Sequence, residues 1–331
     1  MTDRRTALVL GATGGVGGAI ASALGRHGWT VKALVRDPSK APASWGAKDF
    51  PPTWMQGDAM CRAEVIAAAQ GGDAIVHAVN PPGYRNWDRL VLPMMANTIA
   101  AAKAARARIV LPGTIYNFDP AKVSLIDAGS PQMPRTRKGA IRVRMERMLE
   151  DAAPVAPSLI VRAGDFFGPG ARSSWFAQGL VKPGRPIQRL LNPGTSAGHS
   201  WAYLPDLAET FAQLMDMGER LAPFERVQFE GYYDSDGSGM IEAIRRAAGR
   251  HVPERRFPWW LMRLLSPFGG FPREVVEIEQ HWRHPVKLDN RRVVELLGGE
   301  PRTPLDQAVP TALIALGCLD EPARADREPS R

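Results

Sequence analysis

The chain has 331 residues, of which 44% are hydrophobic and 23% are charged, so it can bury a large core as one domain or as two coupled domains. Its net charge is +8, but the basic residues are mostly arginines scattered along predicted helices, without a basic stripe interleaved with aromatics, so we expect no nucleic-acid partner. No apolar run approaches the length of a membrane span, so we expect no membrane partner.

Short apolar segments alternate with helical patterns through the first half of the chain. Each predicted strand is nearly continuous in apolar residues, which is typical of a parallel sheet that helices cover on both faces. The predicted strands are TALVLGA, WTVKALVRD, TWMQGD, DAIVHAVNPP, RIVLPGT and APSLIVRAGD. The sequence therefore predicts an α/β Rossmann fold with a doubly wound parallel sheet.

The alternation fails after about residue 165, where prolines and glycines become frequent. We predict a Rossmann domain over residues 1–165, with later segments around 195–235 as candidates to join it. A smaller mixed α/β portion over residues 166–320 is predicted to bind the substrate. Residues 321–331 are predicted to form a flexible tail.

A glycine-rich turn, GATGGVG, lies directly between the first predicted strand and the first predicted helix. Gly11 permits a tight turn, Gly14 lets the backbone approach a pyrophosphate, and Gly17 lets helix and strand pack closely. The phosphates of a dinucleotide then lie at the helix N-terminus, where free N–H groups and the helix dipole favour anions. The predicted cofactor contacts in this turn are Gly11, Ala12, Thr13, Gly14, Gly15, Val16 and Gly17.

The end of the second predicted strand bears on which dinucleotide binds. An acidic residue there would accept a hydrogen bond from the ribose 2′-hydroxyl of NAD. Arg36 occupies this place, and a guanidinium suits a 2′-phosphate through paired, charge-assisted hydrogen bonds. We therefore predict NADP(H) as the cofactor, with NAD as the alternative because Asp37 follows immediately.

An arginine-rich helix is predicted over Met133–Glu150. Its apolar residues repeat at helical spacing and form a stripe, and Lys138 lies on that stripe one turn before its first member. The stripe consists of Ile141, Met145, Met148 and Leu149. An inward lysine is a candidate site residue, and the alternative is a surface lysine whose stem only crosses the stripe.

Several segments together resemble the extended short-chain dehydrogenase/reductase family, which includes NAD-dependent nucleotide-sugar epimerases and dehydratases. They are GATGGVG, QGD, HAVNPP, LPGTIYN, IVRAGDFFGPG, HSWAYLPDLAET and KLDNRRVVELLGGEPRTPLDQAV. The resemblance covers nearly the whole chain, and it is more specific for the fold than for the reaction.

The resemblance implies further cofactor contacts. Asp58 matches the family's adenine-contacting aspartate, and Ala78, Val79 and Asn80 match the segment that runs under the cofactor. Lys138 matches the lysine of the family's Tyr-x-x-x-Lys pair, which holds the nicotinamide ribose and lowers the tyrosine's pKa.

The sequence departs from the family at the tyrosine of that pair, where it has Pro134. In the family the tyrosine exchanges a proton with a substrate oxygen, and a serine or threonine polarises the substrate. Thr114 lies near the serine position, and Tyr116 lies just past the fifth predicted strand. The predicted catalytic residues are therefore Lys138, Thr114 and Tyr116, although Thr114 can equally be a simple strand-end residue and Tyr116 a packed loop residue.

Aromatic residues are frequent in the loops that are expected to surround the substrate pocket. They indicate an apolar or aromatic substrate rather than a nucleotide sugar, unless they belong to the core of the smaller portion. The predicted substrate contacts are Tyr84, Trp87, Phe167, Trp175 and Tyr203. His199 and Arg172 are weaker candidates for a polar substrate group, with structural or surface roles as the alternative.

We therefore expect an NADP(H)-dependent oxidoreductase that acts on a small, largely apolar carbonyl or alcohol. A sugar epimerase or dehydratase is a second reading, and the missing tyrosine weakens it. A redox sensor that binds NADP(H) without turnover is a third. The resemblance implies a homodimer through the helices that flank the fourth and fifth strands.

Two cysteines, Cys61 and Cys318, are far apart and predict neither a disulfide framework nor a metal cluster. The histidines show no metal-ligand spacing, so we predict no metal site. The N-terminal segment MTDRRTALVL runs into a strand within ten residues, which leaves no room for a signal peptide. A cytoplasmic location is expected.

Overall fold

A computed structural model describes residues 4–45, 49–81 and 86–320 of the chain. Its strands are β1 (Thr6–Leu10), β2 (Thr30–Val35), β3 (Thr53–Gln56), β4 (Ala74–His77), β5 (Arg108–Gly113), β6 (Leu125–Ile126), β7 (Ser158–Arg162), β8 (Asp165–Phe167), β9 (Leu190–Asn192), β10 (His199–Tyr203), β11 (Phe224–Gln228), β12 (Tyr232–Asp234), β13 (Glu254–Arg256) and β14 (Lys287–Leu288). Its α-helices are α1 (Gly15–Arg26), α2 (Ala41–Trp45), α3 (Arg62–Ala69), α4 (Trp87–Ala105), α5 (Arg137–Ala152), α6 (Leu204–Asp216), α7 (Gly239–Ala248), α8 (Trp259–Leu265), α9 (Gly270–Val276), α10 (Gln280–Arg283), α11 (Arg291–Leu297) and α12 (Leu305–Ala315).

Seven of these strands form one sheet in the order β11-β7-β5-β4-β1-β2-β3. All neighbouring strands in it are parallel. The order reverses at β1 and β4, because the chain first adds β2 and β3 on one side and then continues from β4 on the other. This doubly wound arrangement confirms the predicted Rossmann fold, and folds of this kind generally bind ligands beyond the carboxyl ends of the strands at the reversal.

Helices cover both faces of this sheet, as its apolar strands predict. Every residue of β4 and β7 is buried. Ile20 and Leu24 of α1 and Phe211 of α6 pack on one face. Val65 of α3, Met95 of α4 and residues of α5 pack on the other. The parallel sheet thus presents its carboxyl edge, rather than either face, to a ligand.

Helix α5 starts later than the predicted helix over Met133–Glu150. It begins at Arg137, and its N-cap is Thr136, whose hydroxyl accepts a hydrogen bond from the N–H of Gly139 at 3.0 Å. The backbone of Thr136 is extended, so Pro134 lies before the helix. The prediction was wrong here because the Thr136 cap makes the helix begin at Arg137, three residues after the proline.

The second half of the chain surrounds a smaller sheet in the order β12-β10-β8. Its core is rich in aromatic side chains, among them Phe176, Trp259 and Trp282. Helix α6 and strand β11 return to the large sheet. Among the described helices, none is long and apolar enough to cross a membrane. The predicted tail, residues 321–331, lies outside the described residues.

Candidate functional site

The glycine-rich turn joins β1 to α1 at the carboxyl edge of the large sheet. Gly11 has a φ of +93°, and a Cβ at this position would lie 2.6 Å from the carbonyl oxygen of Ala78. A Cβ on Gly17 would overlap the carbonyl oxygen of Gly11, so this glycine lets α1 approach β1. The Gly14 N–H donates to the Gly11 carbonyl at 3.0 Å and closes the turn.

The first turn of α1 is suited to a dinucleotide phosphate. Its N-cap is Gly14, which has no side chain to bond the free N–H groups of the helix. Thr13 and Gly14 are exposed, whereas Ala12 and Gly17 are buried. Residues 11–17 therefore offer backbone N–H groups and a helix dipole to an anion, and the residues present fit a pyrophosphate.

Arg36 and Asp37 follow β2, and they differ in what they already bind. Arg36 is exposed. One carboxylate oxygen of Asp37 accepts from the Ser39 N–H at 3.1 Å and from its hydroxyl at 2.5 Å, and the other pairs with Lys40 at 2.7 Å. The contact with Lys40, and to a smaller extent the hydrogen bonds from Ser39, hold the pKa of Asp37 below its ordinary value. The Asp37 carboxylate is therefore engaged in its own loop.

The other predicted cofactor contacts lie at the ends of β3 and β4. Asp58 Oδ1 accepts a hydrogen bond from the Met60 N–H at 2.9 Å. The Ala78 N–H donates to the Leu10 carbonyl at 2.9 Å, which continues the pairing of β4 with β1 beside the glycine turn. Asn80 is exposed, and Val79 is half-buried. Their contacts with a cofactor stay predictions.

The loop after β5 is fixed by hydrogen bonds around Thr114. The Thr114 hydroxyl donates to Asn117 Oδ1 at 3.4 Å and accepts from the Tyr116 N–H at 3.2 Å. The Thr114 carbonyl accepts from the Arg162 guanidinium at 2.6 Å. The Tyr116 ring is buried and packs edge-on against the His281 ring, with 5.2 Å between centroids. Tyr116 is thus a packed side chain in a loop that several hydrogen bonds hold.

Lys138 faces inward, as the apolar stripe predicts, and is only 2% exposed. Its ammonium pairs with Glu277 at 2.5 Å and also with Glu274. The Lys138 N–H donates to the Glu277 carboxylate at 2.7 Å, which satisfies a free amide at the start of α5. Its predicted contact with the nicotinamide ribose stays a prediction, because the structure gives the ammonium two carboxylates of the C-terminal segment. The stripe residues Ile141, Met145 and Leu149 are buried, and Met148 is half-buried.

The start of α5 packs against the loop after β5. A Cβ on Gly139 would meet the Tyr116 carbonyl and the Pro134 ring. Pro134 lies next to this contact, but it has no ionisable group and no N–H. The position that matches the family's tyrosine therefore supplies no proton donor.

A buried ion pair next to this loop was missed from the sequence. Arg162 donates to Glu146 Oε2 at 2.9 Å, and both side chains are almost fully buried. Asn117 donates to Glu146 Oε1 at 2.9 Å, and Gln132 donates to Glu146 Oε2 at 2.7 Å. The only local signal is a charged residue at the end of the apolar segment SLIV, since Arg162 and Glu146 are on different elements.

A histidine–aspartate pair lies where β8 and β10 begin. His199 Nε2 is 2.8 Å from Asp165 Oδ2, and the His199 ring stacks on Trp282 with 3.8 Å between centroids and 9° between planes. His281, next to Trp282 in the chain, is also buried and reaches Tyr116. The sequence left His199 as a weak candidate and did not identify Asp165, because nothing in their spacing indicates that they meet.

Two buried histidines are expected to make the protein less stable as the pH falls. Burial lowers the pKa of His77 to about 3, with a smaller effect of Arg142, and burial lowers the pKa of His281 to about 4. In the unfolded chain a histidine titrates near pH 6.5, so below that pH the unfolded state binds protons that the folded state does not. Each histidine then reduces the free energy of unfolding by up to about 1.4 kcal/mol per pH unit.

Urea denaturation between about pH 7 and about pH 5 measures this slope. His281→Gln is expected to flatten it, and His251→Gln, at an exposed position, is not. His27 acts in the opposite direction. Partial burial lowers its pKa, but its hydrogen bonds with Asp216 and Glu209 outweigh this effect and raise the pKa above its ordinary value. A free energy of unfolding that is constant or rises as the pH falls through this range contradicts the expectation.

The predicted substrate contacts are mostly core residues, which corrects their assignment to a pocket mouth. Trp87 is buried under the Arg142 guanidinium, because the first turn of α4 packs on the large sheet. Phe167 and Tyr203 are buried with their rings 5.2 Å apart, because alternate residues of β8 and β10 face the core of the smaller sheet. Phe167 and Tyr203 thus fit the alternative that they belong to the core of the smaller portion, whereas Trp87 belongs to the core beside the large sheet.

Two predicted substrate contacts remain. Trp175 is half-buried and touches the rings of Phe257, Trp259 and Trp282, so it lies where the second half meets the C-terminal segment. Tyr84 lies outside the described residues.

Comparisons with known proteins agree with this geometry. Residues 11–140 match a family described as NAD(P)H-binding. A 3-diazoavenalumate denitrifying reductase from Streptomyces sp is 28% identical over 179 residues, which cover 49% of this chain and 57% of that protein. The match thus spans little more than half of the relative's length.

Solved structures of epimerases share the fold over almost the whole chain. The UDP-glucuronic acid 4-epimerase from Bacillus cereus, solved with UDP-glucuronic acid and NAD, is 13% identical with a TM-score of 0.73, covering 94% of this chain and 98% of that one. The UDP-glucose 4-epimerase from Bifidobacterium longum, solved with NAD⁺ and UDP, is 15% identical with a TM-score of 0.68, covering 95% and 97%. Residues 11–140 therefore match an NAD(P)H-binding family, and the chain as a whole shares the fold of these epimerases.

Proposed function

We propose that this protein is an NADP(H)-dependent oxidoreductase that acts on a small carbonyl or alcohol substrate. The observation that carries the proposal is the pairing of an open glycine turn with the exposed Arg36, while the neighbouring Asp37 is engaged with Ser39 and Lys40. The 2′-phosphate of NADP(H) would pair with the Arg36 guanidinium at this position. The ribose 2′-hydroxyl of NAD(H) would find no carboxylate free to accept its hydrogen bond.

The chain's own groups define what the site does. Residues 11–17 hold the pyrophosphate through N–H groups, and Arg36 holds the 2′-phosphate. When bound, the nicotinamide supplies or accepts a hydride. Thr114 orients a polar substrate group from the end of β5, because its hydroxyl is positioned by Asn117 and Tyr116.

Proton transfer is the part that the chain arranges differently from the family it resembles. Pro134 offers no proton, so reduction of a carbonyl oxygen needs another donor. We assign this role to the His199–Asp165 pair, in which the 2.8 Å contact with the carboxylate fixes the orientation of the imidazole. Lys138 positions the loop around Tyr116 through the packed start of α5, with its ammonium held by Glu274 and Glu277.

Turnover of NADPH against a panel of aromatic and aliphatic aldehydes, ketones and enones tests the proposal. We expect oxidation of NADPH with at least one class, and a loss in kcat/KM of about tenfold or more in Lys138→Ala. Arg144→Ala changes an exposed cation on the same helix and is the matched control. Tight NADPH binding without oxidation, unaltered by Lys138→Ala, would instead assign the protein as a redox sensor.

A second candidate reaction follows from the missing proton donor. An arenediazonium ion that takes up hydride gives the arene and dinitrogen, and this conversion needs no proton. The Streptomyces relative is named a denitrifying reductase of a diazo compound. An arenediazonium ion as hydride acceptor is compatible with Pro134 at the tyrosine position, because the reaction then needs no other proton donor in place of the tyrosine.

His199→Gln separates the two candidates. If the substrate is a carbonyl compound, the variant loses activity because its proton donor is gone. If the substrate is an arenediazonium salt, the variant keeps turnover, measured as dinitrogen release above the rate of a sample without enzyme.

A further inference from the structure

Helices α8 and α9 and the turn between them carry a concentration of exposed apolar side chains. In the described residues, five of the eleven large apolar side chains that are exposed lie between residues 260 and 271. Trp260 is 67% exposed and Phe268 is 87% exposed. The five are Trp260, Leu264, Leu265, Phe268 and Phe271, which we call the α8–α9 patch. A large apolar side chain that is exposed alone is ordinary, but such a concentration marks an interaction surface.

The patch occupies the outer side of a short helical hairpin. Trp259 and Met262 pack into the aromatic core of the second half, so they anchor one face of α8. Trp260 and Leu264 are four residues apart and lie together on another face. A 3-10 turn at Ser266–Phe268 reverses the chain, and α9 packs back on α8. The exposed rings therefore lie on an element that the core holds in place.

Three glutamates of α9 and the residues after it are largely shielded from solvent, whereas Glu254 on β13 is exposed and pairs with Arg245 at 3.5 Å. Glu274 and Glu277 bind Lys138, and their side chains are only 21% and 22% exposed. Glu279 is buried and binds Arg263. Glu279 also pairs with Arg283 at 2.8 Å, so three cations balance these three carboxylates, which therefore contribute little negative charge to the outer surface.

The arginines of the same segment are exposed. Arg255 and Arg256 lie on β13 just before α8, and Arg273 lies on α9. The exposed side chains of residues 255–273 therefore include both large apolar groups and arginines, on a chain whose net charge is +8.

We propose that the α8–α9 patch docks this protein on an anionic lipid surface. Elements that lie in a membrane interface combine Trp, Phe and Leu with flanking arginines, and they bind by apolar burial together with attraction to anionic headgroups. A second copy of the chain is a poorer occupant, because it would bring two sets of exposed arginines together. The expectation of no membrane partner considered only spanning segments, and a docking surface needs none.

Sedimentation of the full chain with lipid vesicles tests this proposal. We expect binding to phosphatidylcholine vesicles that contain phosphatidylglycerol, little binding to phosphatidylcholine alone, and weaker binding in added salt. Trp260→Ser with Phe268→Ser is expected to lower the partition coefficient by about tenfold or more, because both rings leave the interface. Val155→Ser with Val294→Ser removes exposed apolar side chains elsewhere and is expected to bind as the unchanged protein does.

Arg255→Ser with Arg256→Ser and Arg273→Ser is expected to remove the preference for anionic vesicles. Failure of the unchanged protein to bind either vesicle overturns the proposal, and so does an equal loss in the patch and control variants. Sedimentation velocity checks the alternative of a second copy. If the unchanged protein is a dimer that binds no vesicles, and the Trp260→Ser, Phe268→Ser variant is a monomer, the patch is a dimer interface and the lipid proposal is overturned.

Discussion

Replacing Glu146 with leucine is expected to lower the free energy of unfolding by about 3–5 kcal/mol. Glu146 is 4% exposed and Arg162 is 1% exposed, and the two form an ion pair of 2.9 Å. Without the carboxylate, the guanidinium stays buried with no counter-charge, and the amides of Asn117 and Gln132 lose an acceptor. Such groups destabilise the folded state because water solvates them fully in the unfolded chain. Urea denaturation measures the change.

A matched control lies one turn further along α5. Glu150 is exposed, so Glu150→Leu is expected to change the free energy of unfolding by no more than about 0.5 kcal/mol. The double variant Glu146→Leu with Arg162→Met is expected to recover part of the loss, because no unpaired charge remains. A loss below about 1 kcal/mol in Glu146→Leu would mean that the pair behaves like an exposed surface ion pair.

The second large effect is expected on cofactor choice. Arg36→Ser should raise the Kd for NADPH about 10- to 100-fold, because charge-assisted hydrogen bonds to a 2′-phosphate contribute about 1.5–3 kcal/mol. NADH has no 2′-phosphate, so its Kd should change little. Calorimetric titration of both dinucleotides measures the two constants.

Arg26→Ser is the matched control for this change. It removes an exposed arginine from the last turn of α1, at the end of the helix away from the glycine turn. Its Kd for NADPH should stay close to that of the unchanged protein. Equal weakening of NADPH and NADH in Arg36→Ser, or tighter binding of NADH than NADPH by the unchanged protein, contradicts the NADP(H) assignment.

The large sheet could be predicted from the sequence because its signals are local. A fully buried parallel strand must be apolar along its whole length, and the glycine turn must lie directly after the first strand. For the same reason Lys138 could be placed facing inward, since the helical period of its neighbours fixes its side of α5. None of these inferences needs contacts between distant segments.

The remaining features depend on contacts between distant segments. Glu146 meets Arg162, and His199 meets Asp165, across different elements, and no spacing in the chain predicts either pair. Aromatic residues in a sequence look the same whether they line a pocket or fill a core. The pairing of β8 with β10 places Phe167 in the core. The start of α5 was missed because a proline shortly before a helix and one within its first turn look alike in sequence.

Transfer of deuterium tests the central claim most directly, namely that the chain holds NADPH so that hydride reaches a substrate. The protein is mixed with NADPH deuterated at nicotinamide C4 and with the carbonyl and arenediazonium panel, and the products are examined by mass spectrometry. The account predicts deuterium in at least one product, from only one of the two C4 positions, at a rate that falls in Lys138→Ala. Tight NADPH binding with no deuterium in any product would contradict it and leave the chain as a binding protein.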